Sequence, residues 1–202
     1  MRPFRSPILF SLALLALAAA YAFAHGFRWI PRYNFTPSMP EGWYLPISGT
    51  PFKRGEVVVA CPPSWIFHLA RKRGYLPSLK GSCANGSVPF VKFLAALPGD
   101  RISIERHYVV VNGCVLRHSG IAVRDPSGRA LPHLLHAGIV PWVKVLLIGE
   151  ARKSFDGRYF GLVPMSDIKP APLLRLFGKQ PTLRCLRHLP NHLPPQGAPH
   201  AR

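Results

Sequence analysis

Acidic side chains are scarce in this chain: 8 Asp and Glu stand against 26 Lys and Arg, a formal net charge of +18 over 202 residues. A hydrolase built on two carboxylates has little to draw on. The four cysteines, Cys61, Cys83, Cys114 and Cys185, contain no C-x-x-C pair, which removes the usual zinc and thioredoxin-like arrangements. There is also no G-x-S-x-G elbow, H-E-x-x-H pair, Walker loop or G-x-G-x-x-G turn. The nine histidines form no ligand pair on a credible helix, so neither a metal nor a cofactor is expected. An even number of spread cysteines suits disulfides formed outside the cytoplasm, with three pairings open and nothing in the spacing to choose among them.

The positive charge calls for a partner, and nucleic acid is the usual one because clustered Lys and Arg neutralise phosphates. Here the basic residues are dispersed. Their one tight cluster, Arg71-Lys72-Arg73, closes a helix expected over 64–73, with Ser64 as its cap and Gly74 as its stop. Nucleic acid is therefore disfavoured, and anionic lipid headgroups suit an exported basic protein better. Residues 7–24 are 18 uncharged, largely apolar residues preceded by Arg2 and Arg5. As a helix they would reach roughly 27 Å, close to the hydrocarbon thickness of a bilayer. The expectation is a transmembrane anchor with everything beyond it outside the cytoplasm. Ala22-Phe23-Ala24 leaves a cleaved signal peptide as the rival reading.

Beyond the anchor, a Pro-rich irregular stretch over 31–51 leads into the β-branched run 56–60. Further strands are expected at 90–95, 101–105 and 108–111, the last running into the turn Asn112-Gly113, and a fifth at 142–148. Residues 118–141 have a weak pattern with a turn at 125–128, and the Pro- and His-containing residues after 176 suggest a mobile tail. The expected organisation is an anchor over 1–28, a mostly β domain with a curled antiparallel sheet over 29–176, and a tail over 177–202.

Two residues stand out chemically. Ser38 lies between prolines in Thr36-Pro37-Ser38-Met39-Pro40, on stiff, non-helical backbone, although a loop serine in a linker would look the same. Lys92 interrupts the apolar run 88–97. If it is buried, desolvation lowers its pKa toward that of a general base; if the strand alternates, it points to solvent instead. The pattern leaves both readings open.

The ordered set Thr36-Pro37-Ser38-Met39-Pro40, then Lys92 with Leu97-Pro98-Gly99-Asp100, then Val111-Asn112-Gly113, then Ser154-Phe155-Asp156-Gly157-Arg158-Tyr159-Phe160-Gly161, resembles the signal peptidase I family. Within that family it looks like the conjugative-transfer branch that processes pilins. The resemblance implies a signal-peptidase-like β domain and a Ser/Lys dyad, with Ser38 as nucleophile and Lys92 as base. It implies an oxyanion hole from the Thr36 hydroxyl and the Ser38 N–H, and supporting roles for Ser154 and Asp156, although Arg158 offers Asp156 a purely structural partner. It also implies a Cys61–Cys83 disulfide. The expected substrate is an exported precursor such as a pilin subunit. The setting would be the outer, periplasmic face of a bacterial inner membrane, among conjugation or type IV secretion components. Gly157, where a serine is usual, departs from ordinary members. A general type I signal peptidase and a noncatalytic basic scaffold are the alternatives.

Overall fold

The structure, a computed structural model, describes residues 7–26, 31–47, 52–76 and 79–186. Helix α1 covers Pro7–Gly26. Its described side chains, at 10–21 and 23, are exposed and almost all apolar. Among the described residues, however, no helix is long and apolar enough to cross a membrane. The spanning anchor expected from the sequence is therefore not found among the described residues.

The remainder is mostly β. Strands β1 (Arg32–Asn34), β2 (Gly42–Pro46), β3 (Val57–Ala60) and β4 (Phe90–Ala96) are followed by β5 (Arg101–Glu105), β6 (Tyr108–Val111), β7 (Cys114–Gly120) and β8 (Gly138–Ile139). The series ends with β9 (Lys144–Ile148), β10 (Val163–Pro164), β11 (Ile168–Arg175) and β12 (Cys185–Leu186). One sheet has the order β1-β2-β11-β3-β4-β9-β10 and the other β12-β7-β6-β5-β8, and every pairing is antiparallel. Helices α2 (Ser64–Lys72) and α3 (Gly157–Phe160) complete the fold.

Local sequence explains several elements. Asn112 and Gly113 adopt φ values of 50° and 77°, the two successive left-handed residues that a tight hairpin with matching twist requires. Asp100 ties that hairpin to the preceding loop: its carboxylate accepts from Asn112 Nδ2 at 2.7 Å, Leu97 N at 2.8 Å and Arg54 Nη2 at 3.0 Å. Two of the motifs read from the sequence are therefore scaffolding. α2 stops before Gly74 as expected, but its cap is Pro63 and not Ser64, and no side chain caps it. Proline suits that place because its φ of −50° is fixed and it has no N–H to satisfy.

Cys61–Cys83 are bridged, and Cys114–Cys185 form a second disulfide. The second bridge corrects the expected domain boundary. Residues 177–186 are not a loose tail: β12 pairs with β7, and Arg117 N donates to Arg184 O at 2.8 Å. Residues 187–202 lie outside the described residues.

β4 positions the site. It lies between β3 and β9, with Val58 opposite Lys92 and Ile148 opposite Phe93, and all seven of its residues are buried. Apolar clusters cover the strand. Phe90 and Leu94 pack with Val58, Ile66, Leu147 and Phe160, while Val91 and Phe93 pack with Met39, Tyr44, Val57 and Leu173. Alternation therefore cannot carry Lys92 to water.

Candidate active site

Lys92 is only 3% exposed. Its Nζ donates to Ser154 Oγ at 2.9 Å and lies 5.7 Å from the centroid of the Phe90 ring. Burial lowers its pKa to about 8; attraction to the buried Asp156 carboxylate opposes that change, and the Arg158 guanidinium reinforces it.

Ser38 is held by a chain of side-chain hydrogen bonds. Asn34, itself buried, donates from Nδ2 to the carbonyls of Thr36 at 3.0 Å, Met39 at 3.0 Å and Pro40 at 3.2 Å. Three carbonyl acceptors around one nitrogen settle which end of the amide is which, so Oδ1 faces Thr36. That oxygen accepts from Thr36 Oγ1 at 2.8 Å and from Thr36 N at 3.3 Å. Thr36 Oγ1 and Ser38 Oγ are 3.2 Å apart. A hydroxyl has one proton, and that of Thr36 is committed to Asn34, so the Ser38 hydroxyl donates to Thr36. The same segment is pinned by Met39, inserted in the core, and by Tyr44, whose hydroxyl donates to Pro40 O at 2.8 Å.

The serine and the lysine are not hydrogen bonded to each other. Gly149 brings their surroundings together. A Cβ on Gly149 would lie 2.2 Å from Ser154 Oγ and 2.8 Å from Ser38 O, so only glycine lets the two approach this closely. Ala151 N donates to Ser38 O at 3.2 Å, which docks the serine segment onto the loop carrying Ser154.

That loop hangs on a buried ion pair. Asp156, 0% exposed, accepts from Gly149 N at 2.8 Å and from Arg158 Nε at 2.8 Å, and it caps α3. Arg158, 1% exposed, also donates to the carbonyls of His118, Gly120, Arg152, Ala151 and Ser154. Arg158 holds the Asp156 pKa below the ordinary carboxylate value against the effect of burial. Asp156 thus holds Gly149 directly and Ser154 through Arg158, and its charge raises the Lys92 pKa against the effect of burial. The departure at Gly157 has a steric cause: a Cβ there would meet Leu146 Cδ1 at 2.6 Å and Leu147 O at 2.7 Å. Among the described residues no cluster of His, Cys, Asp or Glu could hold a metal ion.

Of the residues singled out from sequence, Ser38 with Thr36 and Lys92 with Ser154 form two bonded pairs meeting at Gly149. Cys61 and Cys83 brace α2 elsewhere. Sequence reasoning missed Asn34 and Gly149. Asn34 had a faint signal, since an Asx side chain two residues before Thr36-Pro37 often bonds the backbone ahead of it.

The chain belongs to the signal peptidase family, peptidase S26, whose model matches residues 5–175. Its relatives are transfer proteins. It is 40% identical over 140 residues to the conjugal transfer protein TraF of Agrobacterium tumefaciens strain 15955, covering 68% of this chain and 77% of that protein. It is 37% identical over 159 residues to a plasmid transfer protein TraF of Escherichia coli, covering 77% and 85%. A crystal structure of a signal peptidase I from Enterococcus faecalis V583 aligns over 61% of this chain and 98% of that one, at 17% identity and a TM-score of 0.34.

Proposed function

We propose that this chain is a membrane-associated serine endopeptidase that cleaves an exported precursor, with Ser38 as nucleophile and Lys92 as general base. The observation that carries this reading is the burial of Lys92, which holds its pKa near 8 within the site that also contains Ser38. When substrate binds, Ser38 Oγ turns from Thr36 toward the lysine and attacks the scissile carbonyl carbon, and neutral Lys92 takes its proton. The Ser38 N–H and the Thr36 hydroxyl, released from Asn34, stabilise the oxyanion. Collapse of the tetrahedral adduct breaks the C–N bond, and Lys92 returns its proton to the departing amine. The acyl-serine is then resolved by water, giving a linear product, or by the substrate's own amine, giving a cyclic one lighter by one water.

The motif resemblance, with relatives that are transfer proteins, supports a pilin subunit of a conjugation apparatus as the substrate. Helix α1, with exposed Phe10, Leu12, Leu15 and Phe23, is the element that meets the membrane, leaving the domain on the periplasmic side. In cells lacking other signal peptidases, the Ser38→Ala variant should leave the precursor unprocessed, and mass spectrometry of the wild-type product separates linear from cyclic. Full processing by Ser38→Ala would instead favour the noncatalytic scaffold to which a charge of +18 also points.

A further inference from the structure

A groove of about 270 Å³ opens beside the serine and has no part in the chemistry above. Pro40 and Glu150 lie on its wall, the first two residues beyond Ser38 and the second next to Ala151, whose N–H donates to Ser38 O at 3.2 Å, so the groove adjoins the segment that carries the serine. Its other walls carry Arg117, Arg175, Lys179 and Arg184, with Phe93 among the apolar lining. Four cations therefore face a single carboxylate.

The groove is built. Residues 179–184 are held against β7 by the Cys114–Cys185 disulfide and by the Arg117 N–H to Arg184 O bond. Arg175 shapes the turn before them, donating from Nη1 to Lys179 O and from Nη2 to Glu41 O. On the opposite side, His118 takes a left-handed φ of 62° and its Nδ1 hydrogen bonds to Glu150 O at 2.8 Å. Two polar atoms of the lining, Glu150 Oε2 and Arg175 Nε, are shielded from solvent and lack hydrogen-bond partners among the described residues. The volume lies just below the ~300–1,000 Å³ of typical ligand pockets, room for a side chain with its flanking backbone and not for a folded partner.

We infer that this groove is a carboxylate-selecting subsite, taking an acidic side chain or the chain-terminal carboxylate of the precursor within a few residues of the scissile bond. The inference rests on the peptidase reading for its substrate. Charge supplies the selection: a carboxylate meets Arg117, Lys179 and Arg184, all exposed and able to reorient, whereas a lysine at the same place would be repelled. A strongly basic enzyme gains from this only if the charge is local, and the groove localises it next to Ser38.

The test uses the full-length protein in detergent and internally quenched peptides with an Ala-rich cleavage segment. One series carries a single Glu at successive positions on either side, a second carries Gln, and each is made with a free or an amidated C-terminus. The expected result is about tenfold higher kcat/KM for one Glu position or for the free-acid form, expressed in KM and weakened by salt. The Arg117→Glu/Arg184→Glu variant, altered only at exposed side chains, should lose that preference, read as the ratio of kcat/KM for matched Glu and Gln peptides within the variant. Binding of the same peptides to Ser38→Ala protein, read by fluorescence anisotropy, separates the two readings. Charge-selective binding without cleavage by the wild type refutes the peptidase, and with it the placement beside a scissile bond, while upholding the groove's selection of carboxylates. Cleavage with equal kcat/KM across the series supports the peptidase and overturns the groove. It is overturned equally if the double variant keeps its peptide preference and instead loses binding to phosphatidylglycerol vesicles.

Discussion

Replacing Lys92 by Met should abolish proteolysis and yet stabilise the folded protein at neutral pH. Burial lowers the lysine from 10.5 to about 8. Below that value the amine is protonated in both states, and the native state bears the cost of holding a desolvated ammonium. At about 1.4 kcal/mol for each tenfold change in proton affinity, this is on the order of 3 kcal/mol. Met fills the same channel with an unbranched apolar chain, and loses one bond to Ser154 valued at about 1 kcal/mol. A net gain of about 2 kcal/mol, or roughly 4–8 °C in Tm, is expected at pH 7. The sign reverses with pH. Because the folded pKa lies below the unfolded one, the unfolded state binds more protons between about 8 and 10.5, so wild-type stability rises through that window and the advantage of Met fades. Urea unfolding of both proteins with disulfides intact, at pH 7 and pH 10, measures the difference directly. If Lys92→Met were destabilised equally at both values, Lys92 would be an ordinary packed side chain and the argument would be refuted.

The same pKa sets the activity profile: about one-tenth of Lys92 is neutral at pH 7, so kcat/KM should fall tenfold per pH step below about 8, and a flat profile there defeats the base. Lys92→Arg should be nearly inactive at every pH because guanidinium stays protonated, and near-normal cleavage by it would remove the lysine from the mechanism. Thr36→Val should lower kcat by about 10²-fold with little change in KM. If Asn34 acts through Thr36, Asn34→Ala in that background should cost no further activity, whereas additive losses in the double-mutant cycle would make Asn34 merely structural. Arg158→Lys keeps a charge but cannot serve six acceptors in one plane; a loss of about 3–5 kcal/mol is expected from denaturant melts, and a loss below 1 kcal/mol would contradict the clamp.

Much of the β domain is legible where local preference and tertiary pairing agree. The runs that became β3, β5 and β6 are β-branched, and Asn112-Gly113 meets the backbone demand of its hairpin without help from elsewhere. β1, β2 and β11 are not legible, because prolines obscure them. β11 carries Pro170 and Pro172 between β2 and β3, and its register shifts between Ile168 and Pro172, an irregularity that accommodates residues lacking an N–H. β12 is invisible for a related reason: two residues become a strand because a disulfide 71 positions away holds them there.

The candidate site divides in the same way. Sequence alone determined which side chains had chemistry to offer, Ser38 between its prolines and Lys92 among apolar neighbours, and the order of motifs that marks the family. Only the tertiary structure decided whether Lys92 is buried or at the surface, because a strand alternates its faces and burial on both comes from β3, β9 and the clusters packed over them. The same holds for Asn34, Gly149 and Arg158. Their importance is a matter of what approaches them, and the groups that do, the Thr36 hydroxyl, Ser154 Oγ and a ring of backbone carbonyls, come together only when the chain closes on itself.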